Sequence, residues 1–131
     1  MKRLVLFAAI GLIVTIAACA DVLPSPQTVA WNAPIEGYAD EYEVAVVRLG
    51  QHTVIGVSQT AEYVVDLGAV GLYGSYAVMV RSVAWTDDEA AYSEWIRSDD
   101  PNDVVIVDGE ARVFQIRSIR PAGTPSALRV K

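Results

Sequence analysis

Apolar and polar positions follow two different rhythms along this chain. Leu4 to Ile16 is apolar apart from Gly11 and Thr15. From Thr28 onward the rhythm has period two, which puts alternate side chains on opposite faces of a strand. Val29 and Trp31 share a face in Thr28–Asn32. In Glu41–Val47, Tyr42, Val44 and Val46 oppose Glu41 and Glu43; in Glu62–Leu67, Tyr63, Val65 and Leu67 oppose Glu62 and Asp66. Tyr76, Val78 and Val80 line one face of Ser75–Val83, and weaker strands are expected at His52–Val57 and around Trp95 in Tyr92–Ser98. Val104–Val107 and Glu110–Ile119 flank Asp108-Gly109, a dipeptide that favours a tight hairpin turn. No amphipathic helical period occurs in this part of the chain. About seven short strands, each with one apolar face, predict an all-β, antiparallel sandwich over 28–103 with a C-terminal β-hairpin extension over 104–131.

The first 18 residues belong to a different kind of segment. Lys2 and Arg3 precede the apolar run, whose 13 residues span roughly 20 Å as a helix, against about 30 Å of bilayer hydrocarbon. That is short for a membrane span and suits the helical core of a signal peptide over 1–18. Small residues then lead into the chain's only cysteine, in Ile16-Ala17-Ala18-Cys19. This stretch resembles the bacterial lipobox. The resemblance implies that Cys19 becomes the first residue of the mature chain and carries a diacylglycerol thioether. It further implies lipid-anchored localisation in the bacterial cell envelope, facing the periplasm or the exterior. Each buried acyl CH2 contributes about 0.8 kcal/mol, so several chains hold firmly. Residues 19–27 are expected to be the lipidated N-terminus and a short tether, Asp21–Gln27 with Pro24 and Pro26, whose seven residues reach at most about 25 Å. With one cysteine, no intrachain disulfide is available.

The order of aromatic residues adds a second resemblance. Trp31-Asn32-Ala33-Pro34 lies on an early strand, followed by Tyr42-x-Val44, Leu67, Tyr76-x-Val78-x-Val80 and Ser93-Glu-Trp95. From about Pro24 to Ser98 this resembles the fibronectin type III domain, an Ig-like sandwich. The resemblance implies that Trp31, Tyr42 and Tyr76 are structural core residues. It also implies that the Tyr76 hydroxyl bonds to backbone in the Leu67–Gly74 loop, as a tyrosine corner.

Charge is distributed unevenly. All 16 acidic and eight of the ten basic residues follow Cys19, leaving that portion at −8. Such an acidic body argues against nucleic acid as a partner. Arg112, Arg117, Arg120, Arg129 and Lys131, by contrast, have no acid among them after Glu110. This basic segment is expected to pack on its own acidic domain, with anionic lipid as the alternative.

Candidate chemistry is sparse. His52 is the only histidine and falls at an expected turn; G-x-S-x-G, H-E-x-x-H and C-x-x-C are all missing from the sequence. Asp87, Asp88 and Glu89 form an acidic loop flanked by Trp85 and Tyr92. The carboxylates lack the spaced pattern of a calcium loop, so no metal or cofactor is expected. Aromatic residues beside them could stack on a glycan or pack on an envelope protein. The sequence therefore predicts a non-enzymatic binding or spacer domain. The alternatives are a small accessory enzyme or metal-binding module using the acidic loop, or an assembly subunit pairing through the C-terminal hairpin.

Overall fold

The computed structural model describes residues 21–103, 106–107, 110–111 and 113–131. The expected signal helix, Cys19, Asp108 and Gly109 lie outside the described residues. The rest is almost entirely β, in eleven strand segments: β1 (Asp21–Pro24), β2 (Gln27–Ala30), β3 (Glu41–Arg48), β4 (Gln51–Ser58), β5 (Glu62–Val65), β6 (Gly74–Thr86), β7 (Glu89–Tyr92), β8 (Ile96–Arg97), β9 (Ile106–Val107), β10 (Glu110–Ala111) and β11 (Phe114–Ser118). A 3-10 turn at Gly68–Val70 joins β5 to β6.

The main sheet has the order β1-β11-β6-β3-β4, with β7 and β8 also paired to β6; β2 and β5 form a separate two-stranded sheet. The alternation seen in the sequence is what stacks them. Tyr42, Val44 and Val46 of β3 and Val78 and Val80 of β6 point inward, meeting Val29 of β2, Val65 of β5, Leu67 and Ile116 in one buried cluster. That cluster lies between the two sheets, so the architecture is sandwich-like. Trp31 packs against its edge and meets Tyr42 edge-on, with ring centroids 5.2 Å apart. Tyr42 is buried, while Trp31 and Tyr76 are half-buried at the margin of the cluster.

The main sheet is mixed rather than wholly antiparallel. β1 runs parallel to β11, with Asp21 opposite Phe114 and Pro24 opposite Arg117. Residues 21–24, expected as tether, are thus a strand of the sheet. The prolines of this region are compatible with it: Pro24 ends β1, and the Ser25-Pro26 bond is cis before β2. The Ser25 hydroxyl accepts the Leu67 N–H at 2.9 Å and closes this corner.

The far edge of β6 also departs from expectation. Instead of one strand over Tyr92–Ser98, three short strands and two serine hydroxyls cover it in succession. β7 pairs with Val83–Thr86, β8 with Met79 and Val80, and β11 with Gly74–Tyr76. Between them the Ser93 Oγ accepts the Ser82 N–H at 2.8 Å, and the Ser98 Oγ accepts the Val78 N–H at 2.9 Å. The Ser98 hydroxyl also donates to the Phe114 carbonyl at 2.7 Å, while the Phe114 N–H donates to the Ser98 carbonyl at 2.9 Å. The chain therefore leaves the edge at Ser98 and rejoins it at Phe114.

The excursion between those residues contains the short antiparallel pair β9–β10, with Val107 opposite Glu110. A hairpin thus exists around the expected turn position, but its second arm does not continue to Ile119. Phe114–Ser118 belongs to the main sheet, so the boundary drawn at residue 103 divides one structural unit. Arg97 and Asp99 brace the exit of the excursion through two guanidinium–carboxylate bonds of 2.9 Å. Those bonds hold the Asp99 carboxyl below its ordinary range, chiefly by hydrogen bonding from Arg97, against a smaller opposing effect of burial.

Close packing explains one glycine. The β3–β4 register shifts between Val44 and Ala45, which brings Gly56 opposite Val44. A Cβ at Gly56 would collide with the Tyr63 hydroxyl, which donates to the Ile55 carbonyl at 3.2 Å.

The Tyr76 hydroxyl reaches the Tyr73 carbonyl, inside the expected loop, at 3.4 Å. That is long for an O–H···O bond. The same carbonyl accepts a shorter bond of 3.0 Å from Arg48 Nη1. Because Arg48 keeps this acceptor satisfied, Tyr76→Phe should lower unfolding free energy by only about 0.5 kcal/mol, the low end for one hydrogen bond. Chemical denaturation of the two forms measures this directly; a loss above about 1.5 kcal/mol would mean that the hydroxyl holds the corner alone.

Candidate functional site

Period two gives β3 and β6 a second, outward face, and much of the unusual chemistry is there. Ala45 and Val47 of β3 lie opposite Met79 and Ala77 of β6. These four are buried although they point away from the main core, because Trp95 lies over them. The small side chains of Ala45 and Ala77 leave room for the indole. Trp95 is not in a strand; it occupies the break between β7 and β8, which frees it to fold across the sheet.

Around Trp95 the face is polar and aromatic in a row. The Arg81 guanidinium carbon is 4.5 Å from the Trp95 ring centroid and 3.9 Å from that of Tyr92. Arg81 is therefore held between two aromatic rings. Glu43, opposite Arg81 in the register, fixes it from below with contacts of 2.8 Å to Nε and 2.7 Å to Nη2. On the other side of Trp95, the His52 ring of β4 is 5.6 Å away and tilted. The row His52–Trp95–Arg81–Tyr92 thus crosses from β4 to β7.

The expected acidic loop lies at one end of this row. Thr86 pairs with Glu89, so Asp87 and Asp88 form the tip of a two-residue hairpin turn. Asp87 has φ 55°, a left-handed conformation that aspartate tolerates better than most residues. Asp87, Asp88 and Glu89 are all exposed, and Trp85 and Tyr92 are about half exposed, at 43% and 51%. Trp85 is anchored through its backbone: its N–H donates to Asp40 Oδ2 at 2.7 Å. The structure therefore joins Tyr92 to the aromatic row and places the three carboxylates beyond its end. Among the described residues, no three His, Cys, Asp or Glu side chains come together as a metal site would require.

Arg81, Glu43, Trp95 and His52 were not singled out as site residues by the sequence. Glu43 and Arg81 are 38 positions apart, and only the pairing of β3 with β6 makes them neighbours. Alternation does assign both to outward faces, which was the one available signal.

A second concave feature lies on the inner side. An open groove of about 470 Å³ runs beside β2, lined by apolar groups including Leu23, Val29, Trp31, Ile96 and Phe114. Trp31, one of its lining residues, keeps its Nε1–H buried and without a hydrogen-bond partner.

No family model, curated protein or solved structure matches the chain. Among the described residues, no helix is long and apolar enough to cross a membrane.

Proposed function

We propose that this protein is a lipid-anchored bacterial envelope protein whose fibronectin type III-like sandwich is a non-catalytic binding domain. The fold refinement is supported by the path of the chain. β3 and β4 are neighbours, β5 crosses to the second sheet, and β6 returns beside β3. Trp31 and Tyr42 meet at the margin of the core, and Tyr76 stands near the start of β6 with its hydroxyl toward the preceding turn, in the order that carried the resemblance. The anchoring reading is supported by Lys2-Arg3, the short apolar run and Ile16-Ala17-Ala18-Cys19.

The position of β1 sharpens the anchoring reading. The Asp21 N–H donates to the Val113 carbonyl at 3.0 Å, so the folded domain begins two residues after Cys19. Two residues extend at most about 7 Å. A lipid on Cys19 would therefore hold the sandwich against the membrane surface, with little room to swing.

The single observation that carries the binding reading is the row of His52, Trp95, Arg81 and Tyr92. It is a partly solvated surface whose guanidinium is fixed by Glu43 and two rings before any partner arrives. Stacked cations and aromatic side chains of this kind are suited to glycan rings or to a protein surface. Tyr92→Ala combined with Trp85→Ala should abolish capture of envelope material by the detergent-solubilised lipoprotein. Both residues are half exposed, so the melting temperature should stay within a few degrees of wild type. Undiminished capture by the double variant would remove this face from consideration.

A further inference from the structure

We propose that residues 127–131 of one molecule pair with the open edge of β2 in a second copy of this chain, linking molecules head to tail. Among the described residues β2 pairs with β5 alone, so its other edge presents unpaired backbone groups. Unpaired edges beside apolar surface recruit strands. This one borders the groove lined by Leu23, Val29, Trp31, Ile96 and Phe114.

The same chain carries a matching alternation in a segment that, among the described residues, pairs with no strand. In Ala127-Leu128-Arg129-Val130-Lys131, Leu128 and Val130 alternate with Arg129 and Lys131. Leu128 and Val130 are fully exposed, at 104% and 98%. Extended along β2, they would face the groove on the side of Val29. Arg129 and Lys131 would then lie on the outer side, with the exposed Thr28 and Ala30. Ala127 sits at φ 57°, a conformation disfavoured for an L side chain, and an extended pairing would release it.

Charge favours the same meeting. The segment from Ala111 onward contains five bases and no acid, whereas Asp21–Asp103 carries 14 acids against three arginines. On the outer side, where Arg129 and Lys131 would lie, the exposed Glu62 stands opposite Ala30 in the β2–β5 register. In the folded monomer the tail leaves its own groove open. Donor and acceptor are different surfaces, so the contact is heterologous and forms chains rather than closed dimers.

The test uses the full chain in detergent, in a Cys19→Ser background, with Ala30→Cys and Arg129→Cys. Oxidation should give a ladder of disulfide-linked dimers and larger species on non-reducing gels, and adding Leu128→Asp with Val130→Asp should erase it. In sedimentation, the same two aspartates in the otherwise wild-type chain should weaken self-association by about a hundredfold, from the loss of two buried apolar side chains. Both positions are exposed, so the domain itself should stay folded. A monomer with an internal disulfide would show the tail serving its own groove and would overturn the proposal. So would the absence of any cross-link, or association that ignores the two aspartates.

Discussion

Removing residues 104–131 should unfold the domain. The deletion takes away β11, and with it Ile116, which is fully buried in the core between the sheets. Loss of one such side chain down to Ala costs about 2–5 kcal/mol. Here the whole strand goes. β1 loses its pairing partner, Gly74–Tyr76 lose their edge partner, and the Ser98 hydroxyl loses the Phe114 carbonyl. Each backbone hydrogen bond lost adds about 0.5–1.5 kcal/mol. The total is of the same size as the roughly 5–15 kcal/mol that holds a domain of this size together. The shortened chain should lack a cooperative thermal transition. Removing only 121–131, which is exposed throughout, should leave the transition almost unchanged. A folded, cooperatively melting product of the longer deletion would show that β11 is an appendage and would refute the composite edge of β6.

Leu67→Ala should be the most damaging single substitution, at about 2–5 kcal/mol. Leu67 is among the largest fully buried side chains and sits where β5 turns toward β6. Its backbone is equally committed. The Leu67 carbonyl accepts N–H groups of Val70 at 3.2 Å and Leu72 at 2.9 Å, and its own N–H donates to Ser25. The hydrogen bonds fix the side chain's position, so the surroundings have little freedom to close over the space that Ala would leave. Chemical denaturation should show a lower midpoint with an unchanged slope. Val64→Ala, one turn of the pattern away but exposed, is the control and should change stability by less than about 0.5 kcal/mol.

The sequence revealed strands wherever side-chain alternation decides the structure. β3, β4 and β5 fall within a residue or two of their expected limits, and β6 is longer than expected because it continues through Trp85. The alternation was silent where hydrogen bonds or distant pairing decide. β1 was missed because its four residues carry one exposed valine, one half-buried leucine and a proline, and because its partner lies more than 90 positions away. The end of the sandwich was misplaced for a different reason. Ser93 and Ser98 stand in for ladder partners along β6, and a serine hydroxyl leaves no mark in a hydrophobic pattern. The hairpin at 104–119 was half right. Its turn position was legible from Asp-Gly, but the same alternation in Phe114–Ser118 suits pairing with β6 and β1 as well as with the first arm.

The candidate site was legible in its residue types and illegible in its assembly. Trp85, Tyr92 and the three carboxylates are adjacent in sequence, and they do share one hairpin. Arg81 between Tyr92 and Trp95 depends on a break in the edge strand that lets Trp95 fold over Ala45 and Ala77. No local pattern announces that break.

Everything proposed about location rests on Cys19. Cys19→Ala should move the protein out of the membrane fraction or leave it unprocessed. The most direct measurement is mass spectrometry of the N-terminal peptide from protein isolated with the membrane. The expected result is a chain beginning at Cys19, its sulfur carrying diacylglycerol. An unmodified Cys19, or a chain beginning at any other residue, would contradict it.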